Sequence, residues 1–172
     1  ALQVSGTAVR ADVAGHWWAL PPSVREWFCR RVVVTGAEST GSTTLAADLA
    51  AHYGVGWTPE YGREWTMIRP GGLDEPWCTE EFDLIAIEHA RQEVEAMRRS
   101  PRPLVISDTD VLATTLWHER YLGRPSPTVV ARAAAWRPDL YILTGDEIAF
   151  TQDGWRDGEA IRHEMQQRFR ET

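Results

Sequence analysis

Three consecutive valines, Val32, Val33 and Val34, lead through Thr35 into the octapeptide Gly36-Ala37-Glu38-Ser39-Thr40-Gly41-Ser42-Thr43, and a helix-forming stretch follows at once. A β-branched run of this kind belongs in a strand buried on both faces. Leu45 and Leu49, four apart among alanines, give the next segment a helical face, and Gly54 stands where that helix should stop. Strand, glycine-bounded loop and helix in this order aim loop N–H groups and the positive end of a helix at one point. The octapeptide matches GxxxxGK[ST] at every fixed position but one. In that pattern the glycines let the backbone curl round a polyphosphate, the lysine reaches its outer phosphates and the hydroxyl ligates magnesium. Gly36, Gly41 and Thr43 meet those needs, but Ser42 stands where the lysine would be, so the cradle keeps its shape and loses its point charge. The plainer alternative is a strand-to-helix turn that merely contains two glycines and several hydroxyls.

The missing lysine is general: all 18 basic side chains are arginine, so every cationic role falls to a guanidinium. Against them stand 25 acidic residues, for a formal charge of -7. That balance argues against a grip on nucleic-acid phosphates or on an anionic membrane surface, and leaves a small molecule or another protein as the expected partner. A chain of 172 residues, 43% hydrophobic, is expected to form one soluble domain with a real core. Cys29 and Cys78 form no CxxC pair and no histidine sits at ligand spacing, so a disulfide scaffold or zinc site is not expected and a reduced, cytoplasmic compartment fits. No apolar stretch approaches the ~18 residues of a membrane span, and no signal-type leader is visible. The opening at Ala1, in mid-pattern, suggests a piece of something longer.

Composition changes near residue 30. Residues 11 to 29 hold Trp17, Trp18, Pro21, Pro22, Trp27 and Phe28, and read as a connector packed against a domain, with Ser23 placed to cap a short helix. Beyond it, strands are expected at Val32 to Val34, Val55 to Thr58, Pro103 to Ile106 and Leu140 to Leu143. Helices are expected from Thr43 to His52, from a Thr79 cap to about Met97, from Val111 to Tyr121, from a Ser126-Pro127 start to before Pro138, and over residues 158 to 170. Alternation of this kind predicts a doubly wound α/β sheet.

Three further clusters bear on chemistry, and the first two follow strands, where an open parallel sheet puts its ligand crevice. Glu60-Tyr61-Gly62-Arg63-Glu64 can face a substrate or be a solvated turn. In Ser107-Asp108-Thr109-Asp110 an aspartate can hold magnesium through water or orient a hydroxyl, while Asp110 can be only an N-cap. Gln152 to Gly158 carries two glycines that allow a hinge and Arg156, which can swing over phosphates; Arg162 lies six residues on. An exposed turn with a surface arginine is the alternative there. The five histidines read as surface or satisfied core residues. Of the nine tryptophans, Trp57 or Trp65 near the strand ends can form a flat wall for a heteroaromatic ring.

Taken in series, Gly-Ala-Glu-Ser-Thr-Gly-x-Thr-Thr-Leu from Gly36, Glu-Tyr-Gly-Arg-Glu from Glu60, Asp-Thr-Asp from Asp108 and Asp-Gly-x-Arg from Asp153 resemble the nicotinamide riboside kinase domain of bifunctional bacterial NadR-type NAD-biosynthesis proteins. The resemblance covers residues 30 to 172. Upstream, Val4-Ser5-Gly6-Thr7-Ala8-Val9-Arg10 is similar to the Ser-x-Thr-x-x-Arg tail of the adenylyltransferase domain that precedes such kinases, where these residues help hold ATP phosphates. The His-x-Gly-His element of that domain is absent, so adenylyl transfer is not assigned to this chain. Residues 1 to 29 are then the end of a linked adenylyltransferase domain plus a connector.

The resemblance implies a three-layer α/β/α P-loop NTPase fold of the AAA-like kind with a mainly parallel sheet, truncated at its C-terminus because such kinases continue into another strand and helix. It implies ATP-dependent phosphorylation of the ribose 5'-hydroxyl of nicotinamide riboside. On matching positions, Gly36, Ala37, Glu38, Ser39, Thr40, Gly41, Ser42, Thr43 and Thr44 would hold ATP, with Arg162 beside them. Thr43 would ligate Mg2+, Tyr61 would lie against the nicotinamide ring, and Asp110 joins the substrate side. Glu60 or Asp108 would handle the hydroxyl proton or the metal. Arg63 and Arg156 are the cations nearest to replacing the absent lysine. The rival to a kinase is a non-catalytic nucleotide sensor, with Ser42 as the discriminating residue. A homo-oligomer is compatible with either.

Overall fold

The computed structural model describes residues 4–172. Its sheet has four parallel strands, β1 (Arg30–Thr35), β2 (Gly56–Thr58), β3 (Leu104–Asp108) and β4 (Leu140–Leu143), in the order β2-β3-β1-β4. Between and around them run α1 (Gly6–Ala11), α2 (Pro22–Phe28), α3 (Ser42–Tyr53), α4 (Tyr61–Ile68), α5 (Thr79–Arg99), α6 (Val111–Leu122), α7 (Pro127–Ala135) and α8 (Arg162–Glu171). The period of two along each strand divides the sheet into two faces. Val32, Val34, Leu104 and Ile106 meet Ala46, Leu49 and Ala50 of α3 on one face. Val105 meets Met97 of α5 on the other, where Ser107 also reaches Glu93. The result is the expected α/β/α sandwich.

Local signals explain most of the elements. Gly54 closes α3 with a left-handed φ of 61°, and Ser126 caps α7 with Pro127 at its start. Beyond shifts of a few residues at strand and helix ends, three differences from the reading of the sequence have a local cause. The short helix α2 starts at Pro22 after Pro21, so Ser23 lies inside it and caps nothing. The cap of α5 is Cys78 and not Thr79, because Glu81 folds back to accept the Cys78 N–H at 3.0 Å and closes a capping box. The residues after β2, read as either facing a substrate or forming a solvated turn, make a helix of two turns, α4. Tyr61 and Trp65, four apart, seat it against the cluster built on Phe82 and Ile85.

The first three residues lie outside those described, so the 1–29 segment is seen from Val4 onward. Ser5 caps α1, its hydroxyl accepting the Ala8 N–H at 3.1 Å. Trp17 is buried, donates its indole N–H to the Ser100 carbonyl at 2.8 Å, and packs with Leu20 and Cys29 onto Met97 and Val105. No described helix is long and apolar enough to cross a membrane.

Register places the chemistry. Val34 pairs with Asp108, and Thr58 with Ser107, so the C-terminal ends of β1, β3 and β2 lie side by side. The loop from Gly36, the Asp108 turn and the Glu60 turn therefore open onto the same edge of the sheet.

Candidate active site

The loop between β1 and α3 is an open nest braced from behind. Ser39 and Gly41 take left-handed φ values of 59° and 80°, which turn successive N–H groups toward one concavity. Gly41 precedes α3 without a side-chain cap, so the N–H groups of Ser42, Thr43 and Thr44 have no acceptor in their own helix. The Thr40 hydroxyl donates to the Ala37 carbonyl at 2.7 Å, and the Ala37 N–H donates to Oε1 of fully buried Gln166 at 2.9 Å. Gly36 is required by closeness: a Cβ there would stand 2.4 Å from Thr144 Oγ1 and 2.8 Å from Thr40 Oγ1. Arg162 donates to the carbonyls of Ser39 at 2.9 Å and Ile148 at 2.8 Å, so it holds the back of the loop. Glu38 turns to Arg120 at 3.3 Å and to the Gly158 N–H at 2.8 Å; burial raises its carboxyl above the ordinary range, against those two partners.

A second carboxylate, Glu60, lines the same cleft, and a third, Asp108, lies behind the lining beside Ser42 and Thr43. Asp108 is 1% exposed, and neither of its oxygens has a hydrogen-bond partner among the described residues. Burial raises its carboxyl, while the hydroxyls of Thr43 and Ser42, near it but short of hydrogen-bond geometry, pull the other way. An orphaned buried carboxylate beside a helix-start hydroxyl fits Mg2+, which takes one or two protein oxygens and keeps waters and phosphates for the rest. No group of three His, Cys, Asp or Glu suited to an all-protein metal cage occurs among the described residues. Burial and the Asp108 charge push Glu60 up to about 8, with Arg63 opposing them.

A raised carboxyl means that the folded chain binds a proton which the unfolded chain releases. The contribution of Glu60 is therefore fully present below about 4.5 and is lost as pH rises toward about 8. The wild-type Tm is expected to fall across that window, and Glu60→Gln to flatten the fall and melt higher at its alkaline end. Thermal melts of the two proteins at a series of pH values check this; parallel profiles would mean that Glu60 does not carry the strained proton.

The cleft, of about 180 Å3, also holds Arg63, Arg156, His89 and Thr109, and its apolar side is Trp77, Phe82, Trp117 and Tyr121. Trp77 stands 5.1 Å from both the Phe82 and the Tyr121 rings. Arg69 fixes that wall from outside, stacked 4.0 Å from the Trp77 ring and paired with Glu81 at 2.7 Å. Arg63, on α4, and Arg156 both reach Asp153, Arg156 at 3.5 Å. His89 is buried and bridges two turns, contacting the Thr109 carbonyl at 3.2 Å and accepting the Tyr61 N–H at 3.4 Å.

Other sequence candidates lie elsewhere. Tyr61 is not among the residues lining the cleft; its phenol faces Glu88, Glu64 and Arg91. Asp110 is the N-cap of α6, accepting from the Leu112 N–H at 2.9 Å and from the Tyr141 hydroxyl at 2.6 Å, and is away from the cleft lining. Trp57 borders a separate groove beside β2, and Trp65 packs into the core with its N–H on Glu81. Reading the sequence missed Trp77, Phe82, Trp117, Tyr121, Arg120 and Gln166. Only the Trp77-x4-Phe82 pair, at the entry to a helix that follows the crevice-forming turn, carried a local signal.

A protein-family model described as "AAA domain" matches residues 31–172. Among curated proteins, the trifunctional NAD biosynthesis/regulator protein NadR of Salmonella typhimurium and that of Escherichia coli are each 30% identical to this chain over 155 residues. Those matches cover 90% of this chain and 38% of each relative, so the chain spans well under half of their length. Among solved structures, a NadR protein in complex with NR superposes with a TM-score of 0.82 at 23% identity, covering 96% of this chain and 48% of that one. A NadR protein in complex with NAD and AMP-PNP gives 0.75 at 22% identity, covering 95% and 47%.

Proposed function

We propose, from the premise that this chain belongs to the AAA-domain family matched over residues 31–172, that it is a kinase that transfers a phosphoryl group from ATP to the ribose 5'-hydroxyl of nicotinamide riboside. In coarser terms it is a nucleotide-binding domain similar to NadR proteins of NAD biosynthesis. One observation supports the finer reading above others: a phosphate nest, a carboxylate of raised pKa and an aromatic wall share one cleft, with an unpartnered buried carboxylate directly behind Ser42 and Thr43. In the same reading residues 1–29 are the tail of a linked adenylyltransferase domain, residues 30–172 are the kinase domain, and the protein acts in the cytoplasm.

Each side chain has a task in this reaction. The N–H groups of Ser42, Thr43 and Thr44 at the positive end of α3 bind phosphate oxygens. Thr43 and Asp108 would hold Mg2+, which when bound neutralises phosphate charge. Asp108, beside Ser42 and Thr43, serves the metal, and that leaves Glu60, next to Gly62 and Arg63, to take the hydroxyl proton. Burial alone already lifts its carboxyl above the ordinary range, toward the region where a proton acceptor is most effective. Trp77, Phe82 and Tyr121 present flat apolar surface to the heteroaromatic ring and keep water from it.

Ser42 favours a second reading, a nucleotide-binding regulatory domain without turnover. Incubation of the chain with Mg-ATP and nicotinamide riboside, followed by mass spectrometry, separates the two. The expected result is a riboside 5'-phosphate formed above a no-enzyme control. ATP binding without product, combined with turnover in Ser42→Lys, would establish the regulatory reading instead.

A further inference from the structure

Four arginines stand near the phosphate loop, and their partners sort them. Arg162 is committed to the carbonyls of Ser39 and Ile148. Arg120 is held by two carboxylates, Glu38 at 3.3 Å and Asp157 at 2.7 Å, and stacks 4.7 Å from the Tyr121 ring. Both have anions or carbonyls enough. Arg63 and Arg156 differ: they line the cleft that contains Ser42 and Thr43, and both point at the same oxygen, Oδ2 of Asp153, with Arg156 also donating to the Thr151 carbonyl. Two guanidinium ions thus share one ion-paired carboxylate, with Glu60 near both of them but in salt-bridge contact with neither. Asp153 itself is on the loop that returns across the nest, where the Thr151 N–H donates to the Ser39 hydroxyl at 2.8 Å, and Gly154, with φ of 86°, gives that loop a place to bend.

We propose that Arg63 and Arg156 together take the place of the absent lysine, and that Asp153 is the resident anion which holds them until the outer phosphates of the nucleotide displace it. This rests on the kinase reading of the cleft. A phosphate offers several oxygens to two planar forks where the Asp153 carboxylate offers one, so the exchange gains charge-assisted hydrogen bonds. A lysine at position 42 would deliver its charge from beneath the loop. Here the charge comes from the rim, one cation fixed on a helix and the other on a loop free to follow the ligand. Asp153 is a positioning residue: it keeps the two cations together and competes with the ligand for them.

Calorimetric titration of the chain with AMP-PNP and Mg2+ tests this through a double-mutant cycle. Arg63→Gln and Arg156→Gln are each expected to weaken binding roughly 10- to 100-fold. In a Ser42→Lys background the same changes should cost only about 3-fold, because the lysine restores the missing charge. Asp153→Asn should tighten binding several-fold, a gain that mere damage to the loop would not produce. Equal losses in both backgrounds, or weaker binding by Asp153→Asn, would overturn the proposal while leaving the kinase reading in place. A wild type that fails to bind AMP-PNP at all would remove the kinase reading itself.

Discussion

On the proposed kinase reading, Asp108→Asn is expected to melt several degrees above the wild type while losing roughly 1,000-fold or more in phosphotransfer rate. Both effects come from one fact: Asp108 is buried and neither of its oxygens is hydrogen-bonded among the described residues. A lone buried charge disfavours the folded chain, and leaving such a group unpaired costs about 1–3 kcal/mol, more when it is charged. For a chain of this length, about 1 kcal/mol moves Tm by ~2–4 °C. Asparagine keeps the shape and removes the charge, so the fold gains what the site loses. The loss in rate follows because phosphoryl transfer is carried by charge placed in advance, and an amide is a poor magnesium ligand. A second consequence is local. Asp108 is one of the two main causes that lift Glu60, so the substitution should bring the Glu60 carboxyl down toward its ordinary range. Melting curves, Mg2+ titration of turnover and carboxyl titration by NMR read the three effects. A variant that melts lower than the wild type with turnover intact would show that Asp108 is a structural acid.

What the sequence disclosed and what it hid divide along a physical line. The strands, α3, α7 and the nest were legible because each is written in adjacent residues: a valine run, leucines four apart, Ser126-Pro127, glycines at both ends of a loop. The two acids were legible because they follow strands, and parallel register then brings strand ends together. The helix α4 was obscured by Gly62 and by Pro59 and Pro70 on either side, which mark a turn unless Tyr61 and Trp65 are known to have a surface to pack on. The aromatic wall is assembled from Trp77, Phe82, Trp117 and Tyr121, whose meeting depends on how α5 and α6 cross. Glu38 and Arg120, 82 positions apart, are likewise paired only by the fold. Tyr61 shows the converse: its place in a recognisable motif fixed its neighbours in sequence, but the helix carries its phenol toward Glu88.

The largest loss of stability is expected from Glu93→Leu, at about 3–5 kcal/mol. Glu93 is fully buried on the α5 face of the sheet, where it accepts from the Ser107 hydroxyl and the Trp136 indole, each at 2.6 Å, and pairs with Arg31 at 3.0 Å. Arg31 is 5% exposed and lies 4.5 Å from the Trp136 ring. Removing the carboxylate strands a guanidinium that water cannot reach and orphans two further donors. Assembling the pair adds little, since the attraction between two buried charges roughly repays their desolvation; it is the unpaired remnant that is costly. The double variant Arg31→Met/Glu93→Leu should therefore be more stable than Glu93→Leu alone. It should still fall short of the wild type, because Ser107 and Trp136 keep donors without an acceptor, at about 1–3 kcal/mol each when buried. Urea unfolding of the three proteins orders them, and a double variant no better than the single one would locate the cost in the lost packing of α5. Ser107 is the residue before Asp108, so the same pair holds β3 from behind while its end faces the cleft. If the stranded charge pulls on β3, Glu93→Leu should weaken nucleotide binding well below its unfolding midpoint, and the double variant should restore it.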